Sequence, residues 1–370
     1  MDFRTRFDNR KLRRRDFQFS LARLLVAMTA LAVLLSFQLP LFVEWAGWFL
    51  VAGLLFFILF NDWSAWHVVN GDAALARGEY RRAILAYTRA IKADPEAPLR
   101  HYLRAVASAR LGDQKAALND YSKVIELHSG YAPAWIGRAE VRRQQEEYQA
   151  AIDDVSIGLS MLPSDPDMCS FRVLGLIVRG LSYFRLGRIE EAEEEFDEAI
   201  RTYPDSWEPY AMRGSASVET KHYAQALYYF DEAIARGADG VETLVGRATA
   251  LFNLGLYDAA FTQIRACLAD HPRAASPICT HAWFLATCPE DRLRDGDLAL
   301  KLAEAGRALG ADRYWLCEAS HAAACAELGR FDEALQHAEK ARQLAPPALA
   351  QEIDKPLAAY QQGEPYRDRG

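Results

Sequence analysis

Residues 105–121 read AVASARLGDQKAALNDY and hold the pattern that decides the fold. The small residue Ala105 opens a run that ends in the turn sequence RLGDQ. Ala117 follows the turn, and Tyr121 comes four residues later. Apolar residues on both sides of the turn have the spacing of amphipathic helices. The stretch therefore predicts two short helices joined by a tight turn.

The same pattern recurs with a period of 34 residues. The alanine of the second helix returns at Ala83, Ala117 and Ala151, and again at Ala192, Ala226 and Ala260. An aromatic residue follows most of these alanines, at Tyr87, Tyr121, Phe196 and Phe230. A small residue precedes each of them, at Gly71, Ala105, Ala139, Gly180, Gly214 and Ala248. Because one helix pair cannot bury its own apolar face, the period predicts an all-α solenoid of stacked pairs.

This pattern resembles the tetratricopeptide repeat (TPR) family over roughly residues 64–346. We expect TPR units one to three over residues 64–165, units four to six over 173–274, and two variant units over 276–348. A capping helix and tail are expected over 349–370. The sequence departs from the pattern at Val155 and Ile264, where the aromatic residue is missing. Seven extra residues also lie around SDPDMCS, before the fourth unit.

The seventh unit contains HAWFLATCPEDRLRDG at residues 281–296. Read alone, His281 and Cys288 suggest a thiol or metal site. The repeat places Ala282 in a first helix over roughly 276–287, with Cys288 at its end and Pro289 forcing the exit. The alanine of the second helix then comes five residues late, at Ala299, so the turn PEDRLRDG is predicted to be lengthened.

The N-terminal region predicts a membrane anchor. From Leu24 to Phe60 the only charged side chain is Glu44, and Pro40 divides the run. A bilayer-spanning helix needs about 20 apolar residues, so we expect a helical hairpin over about 21–37 and 41–60. Trp45, Trp48, Trp63 and Trp66 suit an interfacial aromatic belt. A buried hairpin in a soluble protein is the alternative.

The basic arm over residues 1–20 predicts the orientation. Residues 1–23 hold eight Lys+Arg against three Asp+Glu, so the rest of the chain carries −7 − 5 = −12. Basic residues beside a span favour the cytoplasmic side, so two spans return the repeats to the cytoplasm of a bacterial inner membrane. A single span would export them. The acidic body argues against nucleic-acid binding.

An arginine directly before the small residue recurs at Arg104, Arg138, Arg179, Arg213 and Arg247. The favoured interpretation is structural, with inter-repeat ion pairs to Asp120, Asp154 or Glu195 on second helices. The alternative is a row of cations for an acidic peptide.

The TPR resemblance implies a non-enzymatic scaffold that binds protein or peptide partners on the concave surface of its first helices. In that register the exposed candidates are Tyr102, Val106, Arg110, Ile136, Glu140, Arg143, Ile177, Leu181, Phe184, Arg185, Val245, Thr249 and Phe252. The mixture suggests an extended or helical partner held by apolar and arginine contacts. The sequence does not predict the oligomeric state.

Cysteine and histidine are enriched in the last third of the chain, which leaves a metal-binding or thiol-redox protein as the alternative function. The residues concerned are Cys267, Cys279, His281, Cys288, Cys317, His321 and Cys325. They lack the short spacings of common metal sites, and cysteine suits tightly packed helix pairs. No nucleophile elbow, zinc-protease helix, phosphate loop or dinucleotide motif occurs in the sequence. We therefore expect no catalytic residue, metal or cofactor.

Overall fold

The computed structural model describes residues 65–163, 165, 168–310 and 314–368. These residues form seventeen α-helices and contain no strand. In chain order the helices are α1 (65–76), α2 (Tyr80–Ala93), α3 (Pro98–Leu111), α4 (Gln114–Leu127), α5 (Ala132–Gln144), α6 (Tyr148–Met161), α7 (Cys169–Arg185), α8 (Ile189–Thr202), α9 (Glu208–Glu219), α10 (Tyr223–Ala235), α11 (Val241–Asn253), α12 (Tyr257–Asp270), α13 (Ala275–Thr287), α14 (Gly296–Ala308), α15 (Trp315–Glu327), α16 (Phe331–Leu344) and α17 (Pro347–Gln361). The prediction of an all-α solenoid with about eight helix pairs is confirmed, and α17 follows the eighth pair.

The chain divides into two compact units between Ala192 and Glu193, inside α8. Within each unit a second helix packs on its own first helix and on the first helix of the next pair, as α4 does on α3 and α5 and as α12 does on α11 and α13. Successive first helices also pack on one another, as α5 does on α7 and α13 does on α15. We call the surface formed by the first helices of a unit its first-helix face.

Close contacts between glycines and the aromatic rings of second helices organise the core, at the repeat position Gly71 and also at Gly246. A Cβ atom on Gly71 would lie 2.4 Å from the Tyr87 ring, and one on Gly246 would lie 2.4 Å from the Phe230 ring. Both rings are fully buried. Because glycine has no side chain, the helix that carries it can pack directly against the aromatic ring.

The turns inside the pairs require a left-handed residue at the end of the first helix. Gly112, Gly255 and Gly329 adopt φ angles of 87°, 75° and 75° there. Two pairs place other residues at the same point, Glu146 with φ 64° and Lys221 with φ 63°. A side chain with a Cβ atom is strained in this region, so the repeat tolerates strain at two of its turns.

The seven extra residues before the fourth pair are followed by an aromatic residue that the repeat pattern did not predict. Phe171 on α7 is buried in a cluster with Val155 of α6 and Ile136 of α5. Val155 is a position where the usual aromatic is missing. Phe171 therefore supplies aromatic volume to the core that the second helix lacks.

The lengthened turn of the seventh pair forms as predicted, between the end of α13 at Thr287 and the start of α14 at Gly296. A short 3₁₀ helix, Asp291–Leu293, occupies its centre. The carboxylate of Asp295 accepts a hydrogen bond from the Leu298 backbone and so caps α14. Cys288 is fully buried and ends α13, as expected.

None of the helices in the described residues has the length and apolar character needed to span a membrane. The predicted basic arm (1–20) and the predicted hairpin helices (21–37 and 41–60) lie outside the described residues.

Candidate partner-binding surface

Arg104 and Arg138, which precede the small residues of their helices, form ion pairs with the predicted Asp120 and Asp154, but within one helix pair and not between repeats. Arg104 donates two hydrogen bonds of 2.7 Å to the carboxylate of Asp120. Arg138 donates two of 2.8 Å to Asp154. Each carboxylate lies on the second helix of the same pair and is buried. A fork of two N–H groups on one carboxylate fixes the angle between paired helices.

The same arginines also reach back to the preceding pair. Arg104 donates to the Thr88 hydroxyl at 3.1 Å, and Arg138 donates to the Ser122 hydroxyl at 3.2 Å. Arg179 likewise donates to Ser156 at 3.3 Å. Each of these arginines therefore ties its first helix to the pair before it.

In the second compact unit the partners of these arginines are less buried. Arg247 donates to Asp231 at 2.6 Å and to Gln263 at 2.9 Å, and the Asp231 side chain is 49% exposed. Arg213 lies 2.5 Å from Glu193 and faces the Tyr229 ring at 5.5 Å. Ion pairs with this exposure contribute less than buried ones.

Histidine replaces arginine at the same position in the last two pairs. His281 directly precedes Ala282, and His321 directly precedes Ala322. Both imidazoles are buried, which lowers the pKa of each to about 4, and the nearby charge of Arg265 also lowers that of His281. They are therefore neutral at pH 7.

His321 sits in a buried polar cluster that the sequence did not reveal. Its ring stacks on His337 with centroids 4.0 Å apart, and its Nδ1 lies 3.0 Å from the Arg307 guanidinium. Because arginine can only donate, Nδ1 of His321 accepts. Glu318 is fully buried beside this pair and is contacted by His337 at 2.7 Å and by Lys340 at 2.6 Å.

The carboxyl of Glu318 stays charged in this cluster. Burial raises its pKa, but the hydrogen bonds from Lys340 and His337 outweigh burial and lower it below the ordinary value. The stacked imidazoles and the paired carboxylate therefore pack α14, α15 and α16 against one another.

The cysteines of the last third lie in the helix cores. Cys267, Cys279, Cys288, Cys317 and Cys325 are buried with free thiols, and burial raises the pKa of Cys267, Cys288 and Cys325. A thiol with a raised pKa is a poor nucleophile and metal ligand at neutral pH. Within the described ranges, no group of three or more His, Cys, Asp or Glu residues is arranged to hold a metal ion.

The thirteen residues expected on the exposed first-helix face divide into two sets. Tyr102, Ile136, Ile177 and Phe252 are buried, so the prediction of exposure is wrong for these four. Ile136 packs against α7, and Phe252 stacks on Phe284 with ring centroids 4.1 Å apart. Neighbouring first helices approach closely enough to cover these positions.

The other nine candidates remain wholly or partly accessible. They are Val106, Arg110, Glu140, Arg143, Leu181, Phe184, Arg185, Val245 and Thr249. In α5, Arg143 donates two hydrogen bonds of 2.9 Å to Glu140. In α7, the Arg185 guanidinium lies 5.9 Å from the centre of the Phe184 ring. The accessible set thus offers apolar surface beside arginine, in the mixture expected for peptide contacts.

The seventh and eighth pairs extend the first-helix face with residues that were not predicted. Trp283 follows Ala282 as Val106 follows Ala105, and Glu327 follows Ala322 by the five positions that separate Arg110 from Ala105. Both side chains contact residues 366–368 of the chain itself. Applying the register of the earlier pairs to these two would have identified them.

Within each compact unit this architecture is that of helical-repeat proteins, whose neighbouring first helices share one surface. Residues 68–132 and 177–241 match the family model described as tetratricopeptide repeat. These two stretches therefore carry tetratricopeptide repeats.

Part of the chain is also similar in sequence to a known protein. The chain is 24% identical over 218 residues to human DnaJ homolog subfamily C member 3, covering 56% of this chain and 43% of that protein. It thus spans less than half of that relative.

Two solved structures share the fold. PilW, a type IV pilus biogenesis factor, matches 58% of this chain and 96% of its own with a TM-score of 0.52 and 16% identity. The APC/C hetero-tetramer Cut9–Hcn1 matches 80% of this chain and 55% of its own with a TM-score of 0.59 and 14% identity. Identities this low show the fold alone. The repeats and the curated relative support a protein-interaction scaffold, which is typically non-enzymatic.

Proposed function

We propose that this chain is a membrane-tethered, non-enzymatic scaffold that binds protein or peptide partners on its first-helix face. The observation that carries the proposal is the accessible set on α3 and α7, where apolar side chains share the first-helix face with guanidinium groups. Val106 and Leu181 lie one position after their small residues, while Arg110 and Arg185 lie five positions after.

The partner chemistry follows from these side chains. Partly covered Leu181 and Phe184 offer apolar contact, and the Arg185 guanidinium beside the Phe184 ring suits a carboxylate. An extended or helical peptide with apolar and acidic side chains fits this surface. The acidic body does not favour nucleic acid.

Site-directed photo-crosslinking in intact cells tests the proposed surface. A photo-reactive amino acid at Val106 or Leu181 should yield discrete protein adducts. The matched control is Ser160, an exposed position on the second helix α6. Adducts of equal yield at Ser160, or none at the two first-helix positions in folded protein, would contradict the assignment.

The tether rests on residues 21–37 and 41–60. Its support is the run from Leu24 to Phe60, which holds one charged residue. A second support is apolar exposure on the first helix pair, where Trp66 is 58% exposed and Val69 is 49% exposed. Exposed tryptophan next to a membrane segment suits the interfacial region of a bilayer. Confinement to a membrane raises the effective concentration of partners held there.

We further propose that the repeats face the cytoplasm of a bacterial inner membrane. Reporter fusions after Phe60 test this: a cytoplasmic fluorescent reporter should be active, and a periplasmic phosphatase should be inactive. The opposite pattern would establish a single span and exported repeats. Recovery of the chain in the soluble fraction would rule out the anchor.

A further inference from the structure

The chain reverses direction after α17. Gly363 adopts φ 73°, and its N–H donates to the carbonyl of Tyr360 at 3.0 Å. The N–H of Glu364 donates to the carbonyl of Ala359 at 3.0 Å. These are the bonds of a helix end that turns the chain back on its helix. Residues 364–368 then run without helical structure.

These residues lie on α13 and make specific polar contacts with it. The N–H of Asp368 donates to the carbonyl of Thr287 at 2.9 Å, and its carboxylate accepts from the Trp283 indole N–H at 3.0 Å. The ring of Tyr366 lies 6.2 Å from that of Trp283. Tyr366 is half-buried, and burial raises its pKa to about 12.

A charged contact joins the same segment to α15. The Arg367 guanidinium lies 2.7 Å from a carboxylate oxygen of Glu327. The other oxygen of Glu327 accepts from Arg294 at 3.0 Å. Arg294 comes from the lengthened turn, where it also donates to the carbonyl of Cys288 at 2.8 Å. The extra residues of that turn thus hold Glu327 in place for a basic side chain.

The contacted positions are equivalent to those that the proposed function assigns to partner contacts in the first compact unit. Trp283 is equivalent to Val106 and Leu181, while Thr287 and Glu327 are equivalent to Arg110 and Arg185. An extended segment on these positions has the form of a peptide bound to a first-helix face. We call the surface formed by Trp283, Thr287 and Glu327 the α13–α15 groove.

We propose that the α13–α15 groove is a peptide-binding site that the chain closes with its own residues 364–368, and that a partner enters by displacing them. The partner is an extended peptide with a basic side chain for Glu327 followed by an acidic side chain for the Trp283 indole. This inference rests on the proposed function, because it assigns one stretch of the first-helix face. An attached segment competes at an effective concentration in the millimolar range, so free peptide binds weakly until the segment is released.

Peptide binding to the full-length protein in detergent tests the proposal. The probe is a fluorescently labelled peptide of residues 363–370, GEPYRDRG, followed by anisotropy. Releasing the segment with Tyr366→Ala and Arg367→Ala should tighten probe binding at least tenfold relative to the unaltered chain. The charge reversal Arg367→Glu should act in the same direction. Gln362→Ala is the matched control, since Gln362 is exposed and lies outside the segment, and it should bind like the unaltered chain.

Two groove variants show where the probe binds. Added to the released chain, Trp283→Phe removes the indole donor and Glu327→Gln removes the charge, and each should weaken binding at least tenfold. Equal binding by the released and unaltered chains would overturn the proposal, as would binding that neither groove variant changes. Circular dichroism and the melting temperature report whether each variant is folded.

The outcomes separate this site from the wider function. If releasing the segment does not tighten probe binding but adducts still form at Val106 and Leu181, the proposed groove is wrong and the proposed scaffold function stands. If the probe binds as expected but no adducts form at Val106 and Leu181, the proposed surface in the first compact unit is wrong and the proposed groove stands.

Discussion

Replacing Arg138 by Met should destabilise the third pair far more than replacing Arg247 by Met, although both arginines occupy the same repeat position. Met keeps the apolar stem and removes the guanidinium. The Arg138 side chain is 14% exposed and its partner Asp154 is 3% exposed. For Arg247 and Asp231 the values are 27% and 49%. The two substitutions therefore compare ion pairs of equivalent arginines at two degrees of burial, with Asp154 in the same helix pair as Arg138 and Asp231 in the pair before Arg247.

The expected magnitudes follow from that burial. Removing one partner of a buried ion pair costs about 3–5 kcal/mol, because the remaining charge is left unpaired. Arg142 still contacts Asp154 at 2.8 Å, which places Arg138→Met at the low end, about 3 kcal/mol. An exposed pair contributes about 0–1 kcal/mol, which sets the expectation for Arg247→Met.

Urea unfolding followed by circular dichroism measures the change in unfolding free energy. Hydrogen exchange locates it, since stability in a helical repeat is a sum of local terms. For Arg138→Met, protection should fall in α5 and α6. Equal losses for the two variants, or loss of protection spread evenly over both compact units, would refute the argument that burial sets the strength of these contacts.

Three further outcomes test other parts of the structure. Gly246→Ala should cost about 1–3 kcal/mol in unfolding free energy, because the new Cβ would lie 2.4 Å from the buried Phe230 ring; a neutral result in thermal unfolding would mean that the ring can move. Glu146→Gly should raise stability by about 1 kcal/mol, because it relieves a φ of 64°, and an unchanged melting temperature would contradict this. Lowering the pH from 6.5 towards 4 should destabilise the protein, by about 3 kcal/mol at most for each of His281 and His321. Their folded pKa values are about 4, below the unfolded value of 6.5, so their contribution is complete above pH 6.5 and is lost as pH falls. Urea unfolding across this range should show a flatter profile when both are replaced by Gln, and an identical profile would exclude them.

The sequence predicts the helix pairs because a 34-residue period fixes which residues share a face. It also predicts that Arg104 and Arg138 pair with Asp120 and Asp154, since the charges recur in register. Such regularity is visible without knowing any distance between helices.

The period does not predict how closely first helices approach. Ile136 is fully buried because α7 lies against it, and Phe171 enters that core from outside the repeat pattern. The contacts of the segment after α17 were not predicted for a related reason, because they join residues that are far apart in the sequence. Asp368 lies 85 positions after Trp283, and Arg367 lies 40 positions after Glu327. Nothing local in GEPYRD indicates a binding partner.

The contacts of the arginines decide which charges are available to a partner. Arg104 and Arg138 are committed to buried carboxylates, so an acidic peptide would have to break those bonds to use them. Five positions after the small residue lie Arg110 and Arg185, whose side chains are wholly or partly exposed on the first-helix face. That position is basic at Arg110 and Arg185 in the first compact unit, whereas in the eighth pair it is acidic at Glu327. Under the proposed function, acidic side chains of a partner would contact Arg110 and Arg185, and a basic side chain would contact Glu327. Arg367 forms an ion pair with Glu327 and so supplies the basic side chain that this position favours. Within the described residues, it is the one such ion pair that we assign to a bound segment.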